Sequence, residues 1–493
     1  MSFVIGIDIG TTSTKAVAFT DEGVVLAMAG VAYSALTGPD GRHELDLARL
    51  LEAFVAVLKE VAGKTAHLEG LGGISLSCAM HSLIAVDKEG IPLTQAITWA
   101  DLRSKPYAEA LKGSEAGKRI YRQTGTPIHP MSPLFKLLWL KDKEPAIFRQ
   151  AAKFVSIKEW LWWQLFGKYQ VDHSIASATG LFDIYNFDWY RESLELAGIT
   201  PDHLSVPVPC THTESALLSA WRSDLSLPEG LPFVIGSSDG CLANLGSRAM
   251  WPGETTLTIG TSGAVRMTAA APEYDPRERI FNYILTENLY ISGGATNNGG
   301  GVVQWYIEQF LGRKGGDAKE LSDLVAAADT VAPGSEGLVF LPYLQGERAP
   351  IWDADAKGVF FGIRSGHGQR HFMRAVLEGI TYSLFQVGAS LEETIGPIQH
   401  IYASGGFTHS KSWLQLVADV FSKKVHVTNV ADASAIGAAI MGFYSLGITR
   451  DLEASAGMIR VQETYEPDEG RHRIYQERFK VFEALYSRLR DLM

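Results

Sequence analysis

Apolar positions at the start of the chain fall in short runs broken by polar turns. Phe3 to Ile9, Ala16 to Thr20 and Val24 to Met28 are separated by Gly10-Thr11-Thr12-Ser13-Thr14-Lys15 and by Asp21-Glu22-Gly23. Runs of that length between such turns predict a meander of three strands. Leu47, Leu50, Leu51, Phe54, Val57, Leu58 and Val61 recur three and four apart, which predicts an amphipathic helix over 45–61. Strands are predicted at Ile74 to Ser77 and Leu83 to Val86, and the aromatic-rich Trp160 to Phe166 reads as a buried helix face. Leu231 to Ile235 is a buried-strand run that ends in Gly236-Ser237-Ser238-Asp239-Gly240, placing a carboxylate just past its carboxyl end.

After Trp251-Pro252-Gly253 the pattern starts again. Thr256-Leu257-Thr258-Ile259-Gly260-Thr261-Ser262-Gly263 echoes Ile7-Asp8-Ile9-Gly10-Thr11-Thr12-Ser13 about half a chain later. Further on come a strand at Ile401 to Gly406, a helix at Trp413 to Phe421, a strand at Val425 to Asn429 and a small-residue helix at Ala433 to Leu446. The expected class is α/β, in two lobes of similar size, 1–248 and 249–493.

Composition narrows the function classes. Lys+Arg 44 against Asp+Glu 55 gives a net charge of −11, so no basic excess is available for a phosphate backbone and nucleic acid is excluded as an expected partner. Three scattered cysteines (Cys78, Cys210, Cys241) form neither a disulfide framework nor a zinc cage. No uncharged run approaches the roughly 20 residues of a membrane helix, and the first run carries Asp8 with no basic segment before it. The expectation is a soluble, cytoplasmic chain without a membrane partner.

Glycines number 49, above the average share, and many sit in turns with threonine. Such turns let several N–H groups converge on an anion. In the first, Asp8 is suited to Mg²⁺ through water, and Gly10, Thr11, Thr12, Ser13 and Lys15 to phosphate; an ordinary polar hairpin is the alternative. The second is Gly260, Thr261, Ser262 and Gly263. The common nucleotide fingerprints are missing. Ala62-Gly63-Lys64-Thr65 lacks the first P-loop glycine, which would fall at Leu58, and reads as a helix end. The G-x-G pairs at Gly70/Gly72, Gly299/Gly301 and Gly366/Gly368 lack a third glycine, which argues against a dinucleotide oxidoreductase.

Asp239, flanked by small residues, is open to two roles: a helix cap, or a base that takes a proton from a substrate hydroxyl. Met80 and His81 follow a strand and could touch substrate. Trp99, Asp101 and Arg103 put an aromatic face, a carboxylate and a guanidinium in one loop, a mix suited to a polyhydroxylated ligand or to a surface salt bridge.

Taken together, these residues resemble the FGGY family of carbohydrate kinases, in the two-lobed group of actin, Hsp70 and hexokinase with ribonuclease H-like lobes. Met131-Ser132-Pro133-Leu134-Phe135-Lys136-Leu137-Leu138-Trp139-Leu140-Lys141-Asp142 is similar to the family's first signature, with Lys143 where Glu, Asn, Gln or His is usual. Gly358 to Ile363, then His371-Phe372 and Ala375-Val376-Leu377-Glu378, fit the second. The resemblance implies an interlobe active-site cleft, ATP as donor and Mg²⁺ near Asp8. It implies phosphate contacts from both glycine-threonine turns, nucleotide contacts from Gly300, Gln304, Gly405, Gly406 and Ser410, and Asp239 as base. Phe407 stands where many relatives carry a small residue.

Ala79 to Asp87, Ile97 to Ser104 and Gly125 to Pro133 resemble the gluconate-phosphorylating members more than the xylulose-phosphorylating ones, which typically carry Met-His-Gly where this chain has Met80-His81-Ser82. The implied reaction is ATP-dependent phosphorylation of gluconate; another polyol or ketose, such as xylulose, is the alternative. A non-kinase ATPase on the same fold is a further alternative, and a homodimer is left open. Gluconate's carboxylate calls for a cationic or multi-donor partner, for which Arg103 and His81 are the sequence candidates.

Overall fold

In the computed structural model of the chain, which describes residues 2–225, 227–313, 324–430 and 432–493, the first apolar run becomes the strand Phe3–Ile9. It turns into antiparallel Ser13–Thr20, which pairs with antiparallel Val25–Ala32. On its other side Phe3–Ile9 pairs in parallel with Leu71–Cys78, which pairs in parallel with Phe233–Ser238; Thr213–Glu214 closes that edge. Parallel neighbours need both faces covered, and alternation along the first strand shows how this is done. Phe3, Ile5, Ile7 and Ile9 pack with the helix Leu47–Thr65, while Val4 on the opposite face packs with the helix Ala433–Ser445. Each fully buried side chain of that size contributes about 2 kcal/mol. Ala62 to Thr65 form the last turn of Leu47–Thr65, not a phosphate loop.

The second sheet repeats the scheme. Glu254–Ile259 is antiparallel to Gly263–Ala269, which pairs with Leu289–Thr296, and Phe281–Thr286 lies at the edge. On the other side follow parallel His400–Ser404, parallel Val425–Thr428 and antiparallel Val461–Tyr465. The sequence echo therefore marks the same hairpin in two equivalent sheets. The second core gathers the helices Gln369–Thr394, Lys411–Phe421 and Glu469–Leu489 around this sheet. Among the described residues, no helix is long and apolar enough to cross a membrane. All three cysteines are buried and free.

Two helices join the halves. Asp239–Gly246 crosses Ala433–Ser445, which lies late in the chain yet covers the first sheet. The contact is backbone on backbone: a Cβ at Gly437 would lie 1.9 Å from the Leu242 carbonyl oxygen, and one at Gly246 would lie 1.9 Å from that of Ala433. Only glycine permits this approach. The two helices begin at Asp239 and just after Asp432, so their N-terminal ends carry acidic residues toward the space between the sheets.

Candidate active site

Asp8 lies near the carboxyl end of the central strand of the first sheet, opposite Ser77 on the neighbouring parallel strand, whose hydroxyl donates to its Oδ1 at 2.7 Å. Burial first, then the charges of Asp239 and Asp432, push the Asp8 carboxyl up to about 7, against the opposing Ser77 hydroxyl and Lys15 ammonium. Two neighbouring carboxylates thus raise the proton affinity of Asp8, and a cation beside it would relieve the same repulsion. Among the described residues no cluster of three or more His, Cys, Asp or Glu side chains could hold a metal alone. The donor set therefore fits Mg²⁺ as an ion bound through one carboxylate, water and substrate phosphates, its usual manner.

The adjoining turn is rigid. Gly10 N–H donates to the Ser13 carbonyl at 3.0 Å, and the Tyr33 hydroxyl donates to the Gly10 carbonyl at 2.6 Å. Thr12 at the tip is exposed, and the amides of Thr11 and Thr12 donate to no protein acceptor among the described residues. Lys15 takes a different place from the one expected: its ammonium pairs with Asp432 at 2.8 Å, tying the turn to the joining helix.

The second sheet supplies the matching turn, with Gly260 N–H donating to the Ser262 carbonyl at 2.9 Å. In place of Asp8 and Ser77 it carries Thr258 and Ser404, whose hydroxyls share a hydrogen bond of 2.7 Å. The duplicated position thus carries a carboxyl in one lobe and a hydroxyl in the other. Gly299, Gly300 and Gly301 pack directly on this turn, Gly300 N–H donating to the Gly260 carbonyl at 2.7 Å. Gln304, one helical turn on, hydrogen-bonds Glu308 at 2.7 Å on an exposed face. Gly405 crosses the end of Glu254–Ile259 at φ +95, where a Cβ would lie 2.4 Å from the Ile259 carbonyl. Gly406 has open space around it, and Ser410 caps the helix Lys411–Phe421. Phe407 turns inward onto Trp413, ring centroids 5.9 Å apart, and is buried in the second core.

Asp239 is the first residue of its helix, and its Oδ1 accepts from the adjacent Gly240 N–H at 2.7 Å. The cap position belongs to Ser238, which makes no side-chain cap. Burial raises the Asp239 pKa, opposed first by the Arg266 charge, then by the Gly240 amide and Lys158. Lys158 is fully buried, pairs with Asp172 at 2.7 Å and donates to the Ser237 carbonyl at 2.8 Å. Neither Lys158 nor Arg266 is among the sequence candidates. A single basic residue inside an otherwise apolar run, as in Gly263-Ala264-Val265-Arg266-Met267, is the signal that could have found the second.

Around Asp239 the other half of the cleft assembles. The Met80 methyl lies beside Gly240. His81, at φ 67, bonds the Ala178 carbonyl through Nδ1 at 2.7 Å and faces the Tyr283 hydroxyl through Nε2 at 3.4 Å. The buried Lys136 of the first signature holds the His81 and Met131 carbonyls. Burial, then the Lys136 charge, lower the His81 pKa to about 3, so the ring is neutral. A neutral imidazole whose Nδ1 proton is already donated offers nothing to a carboxylate, which removes His81 as an anion partner.

Arg103 is also committed elsewhere. It bonds both Asp101 oxygens, reaches Glu44 at 2.5 Å and stacks over Trp139 at 4.2 Å. Asp101 in turn accepts from the His43 N–H at 2.9 Å. The salt-bridge alternative thus describes this pair, which braces the loop carrying Trp99. Trp99 itself faces the second lobe, with the Arg348 guanidinium 4.6 Å from its ring centre.

Residues 3–246 match the FGGY family of carbohydrate kinases, N-terminal domain, and residues 255–446 its C-terminal domain. The chain is 40% identical to a gluconokinase of Bacillus subtilis (strain 168), covering 98% of this chain and 95% of that one. Two solved structures from Lactobacillus acidophilus, a gluconate kinase and a ligand-bound xylulose kinase, each superpose with TM-score 0.94 at 32% identity, over 99% of this chain and 98% of theirs. The two lobes have the actin- and hexokinase-like fold of these structures.

Proposed function

The chain belongs to the FGGY family of carbohydrate kinases, and on that premise we propose that it phosphorylates D-gluconate at its terminal primary hydroxyl, giving 6-phospho-D-gluconate and ADP. The carrying observation is the pair Asp8 and Asp239. They lie at the carboxyl ends of strands flanking Leu71–Cys78, close enough for the Asp239 charge to raise the proton affinity of Asp8, which stands beside the first glycine-threonine turn. Crevices beyond the carboxyl ends of parallel strands are where α/β folds bind ligands.

In this reading residues 1–248 carry the acceptor and the base, and 249–493 most of the nucleotide contacts. The free amides and hydroxyls of Thr11, Thr12, Ser13, Thr261 and Ser262 bind the phosphates, and Gly300, Gln304, Gly405, Gly406 and Ser410 line the nucleotide side. Met80, His81 and Trp99 form the wall of the acceptor pocket. Asp239 takes the proton of the attacking hydroxyl as the new O–P bond forms and the bond from the γ-phosphorus to the bridging oxygen breaks, with ADP leaving. Burial makes Asp239 a stronger base than an ordinary aspartate, opposed first by the Arg266 charge. Mg²⁺ at Asp8 neutralises charge on the phosphoryl oxygens when bound. The bracing of Gly10 by Tyr33 and of Gly260 by Gly300 fixes the donors before reaction, which favours electrostatic stabilisation of the transferred group.

Similarity to the Bacillus gluconokinase favours gluconate; the equal superposition on a xylulose kinase makes xylulose the competing acceptor. A panel of ATP-dependent phosphorylation assays decides between them. Gluconate is expected to give the highest kcat/KM, and xylulose exceeding it overturns the assignment.

A further inference from the structure

Resting on the reading of Asp239 as the base, we propose that the buried pair Lys158 and Asp172, together with Ser174, are positioning residues for the reaction: they clamp the peptide group between Ser237 and Ser238 and so set the direction in which the Asp239 carboxylate enters the cleft.

Asp239 follows an irregular strand end. Along Phe233–Ser238 the pairing with Leu71–Cys78 shifts register between Val234 and Ser237, where the strand carries one residue more than its partner. Gly236 stands in that bulge at φ +68, and a Cβ there would lie 1.9 Å from the Leu76 carbonyl oxygen. A bulge bends the strand and re-aims the side chains that follow it. The outer neighbour, Thr213–Glu214, pairs with Phe233 and Val234 and stops short of Ser237. The carboxylate itself accepts from the adjacent Gly240 N–H, so its placement is inherited from the backbone that precedes it.

That backbone is held by side chains from two other elements. Lys158, in the helix Ile157–Phe166, donates to the Ser237 carbonyl at 2.8 Å. Ser174, in the short helix His173–Ser177, accepts from the Ser238 N–H at 3.2 Å and donates to the Ser238 hydroxyl at 2.9 Å. The Ser237 carbonyl and the Ser238 N–H are the two ends of one planar peptide group, so a single plane is gripped from opposite sides. Asp172 links the grips. It pairs with Lys158 at 2.7 Å, and its Oδ1 accepts from the Ile175 N–H at 2.9 Å, capping the helix that carries Ser174. All three side chains are buried.

Both grips are rooted beside the wall of the acceptor pocket. The Ile157 N–H donates to the Ser82 hydroxyl at 3.0 Å, and the Ala178 carbonyl, just past His173–Ser177, bonds His81 Nδ1 at 2.7 Å. The clamp therefore registers the base against the segment Met80 to Ser82. A buried ion pair seldom stabilises a fold more than apolar side chains of the same volume, because both charges are desolvated. Apolar side chains, however, cannot bond a carbonyl and fix its plane. Direction matters here because proton transfer needs the carboxylate within hydrogen-bond reach of the hydroxyl, and a displacement of about 1 Å costs on the order of 10²-fold in rate.

The test is a set of double-mutant cycles with Asp239. Lys158→Met combined with Asp172→Asn removes both charges at once, keeping the volume and an oxygen for the helix cap. It is expected to lower kcat about tenfold to hundredfold, with the gluconate KM and ADP affinity within about threefold of wild type. Ser174→Ala, a milder change, is expected to lower kcat about threefold to tenfold. In an Asp239→Asn background, assayed at high enzyme concentration, either change is expected to cost less than about twofold more, because its effect runs through a carboxylate already removed. ADP titration and thermal unfolding show which variants are folded, and Ser174→Ala carries the test if the paired replacement is not. Equal losses with and without the Asp239 carboxylate, a loss confined to KM, or unchanged kcat in folded variants overturns the clamp. Wild-type turnover by Asp239→Asn alone overturns the base reading instead, a result that the clamp variants do not produce.

Discussion

Lys15 and Asp432 stand 417 positions apart in the chain and meet at 2.8 Å. Asp432 caps the helix Ala433–Ser445 by accepting from the Ala435 N–H at 3.2 Å, so one carboxylate closes the helix and anchors the first glycine-threonine turn through Lys15. Asp432→Ala removes both contacts. The expected result is a loss of about 1 kcal/mol of stability from the cap and a rise in the ATP KM, with the gluconate KM unaltered. Thermal unfolding and steady-state kinetics check the two parts separately.

Asp239→Asn keeps volume and removes proton acceptance. It is expected to reduce kcat by a factor on the order of 10² to 10⁴ while ADP binding, followed by titration calorimetry, stays at the wild-type level. Because burial raises the Asp239 pKa, wild-type kcat/KM is expected to fall on acidification at a pH above the ordinary aspartate value of 3.8. The active form is the ionised one, so rate is lost as pH drops through the raised pKa. An acid limb that persists in Asp239→Asn places the titrating group elsewhere.

Gly437→Ala is expected to destabilise the chain by about 3 kcal/mol, because its Cβ would lie 1.9 Å from a backbone oxygen that cannot move without parting the two joining helices. Gly63→Ala is the control. Nothing lies within 4 Å of its Cβ, and it sits inside the helix Leu47–Thr65, so the variant is expected to gain about 0.5–1 kcal/mol. Unchanged ATP kinetics in that variant also check that Ala62-Gly63-Lys64-Thr65 is no phosphate loop.

His81 couples stability to pH. Its folded pKa of about 3 lies below the ordinary 6.5, so between those values the unfolded chain binds a proton that the folded chain does not. Stability from this group is full above 6.5 and is lost as pH falls, by about 2 kcal/mol between pH 7 and pH 5. Denaturant titrations of wild type and His81→Gln at the two pH values isolate it. The variant is expected to lose less stability on acidification by that amount, and parallel losses in the two proteins contradict the neutral buried ring.

The chain's own pattern determined the local elements and the chemical vocabulary. Alternation in Phe3–Ile9 could serve only a strand covered on both sides, the three-and-four spacing of Leu47 to Val61 only a one-faced helix, and the paired glycine-threonine turns only two like hairpins. Asp8, Asp239 and the turns were legible because short-range context marks them: a carboxylate at the end of an apolar run among small residues.

What the sequence could not decide was which long side chains are free. Arg103 and Arg348 look alike in one dimension, each beside an acidic residue, yet Arg103 pairs with Asp101 and Glu44 while Arg348 forms no ion pair among the described residues, bonding the Thr296 carbonyl and stacking on Trp99 instead. Lys15 likewise reads as a phosphate ligand until Asp432 arrives from the other end of the chain. Side-chain pairing depends on partners brought together by the crossing of Asp239–Gly246 and Ala433–Ser445, and that crossing depends on backbone contacts no local pattern encodes. Tertiary structure alone therefore decided which of these cations are already paired within the protein.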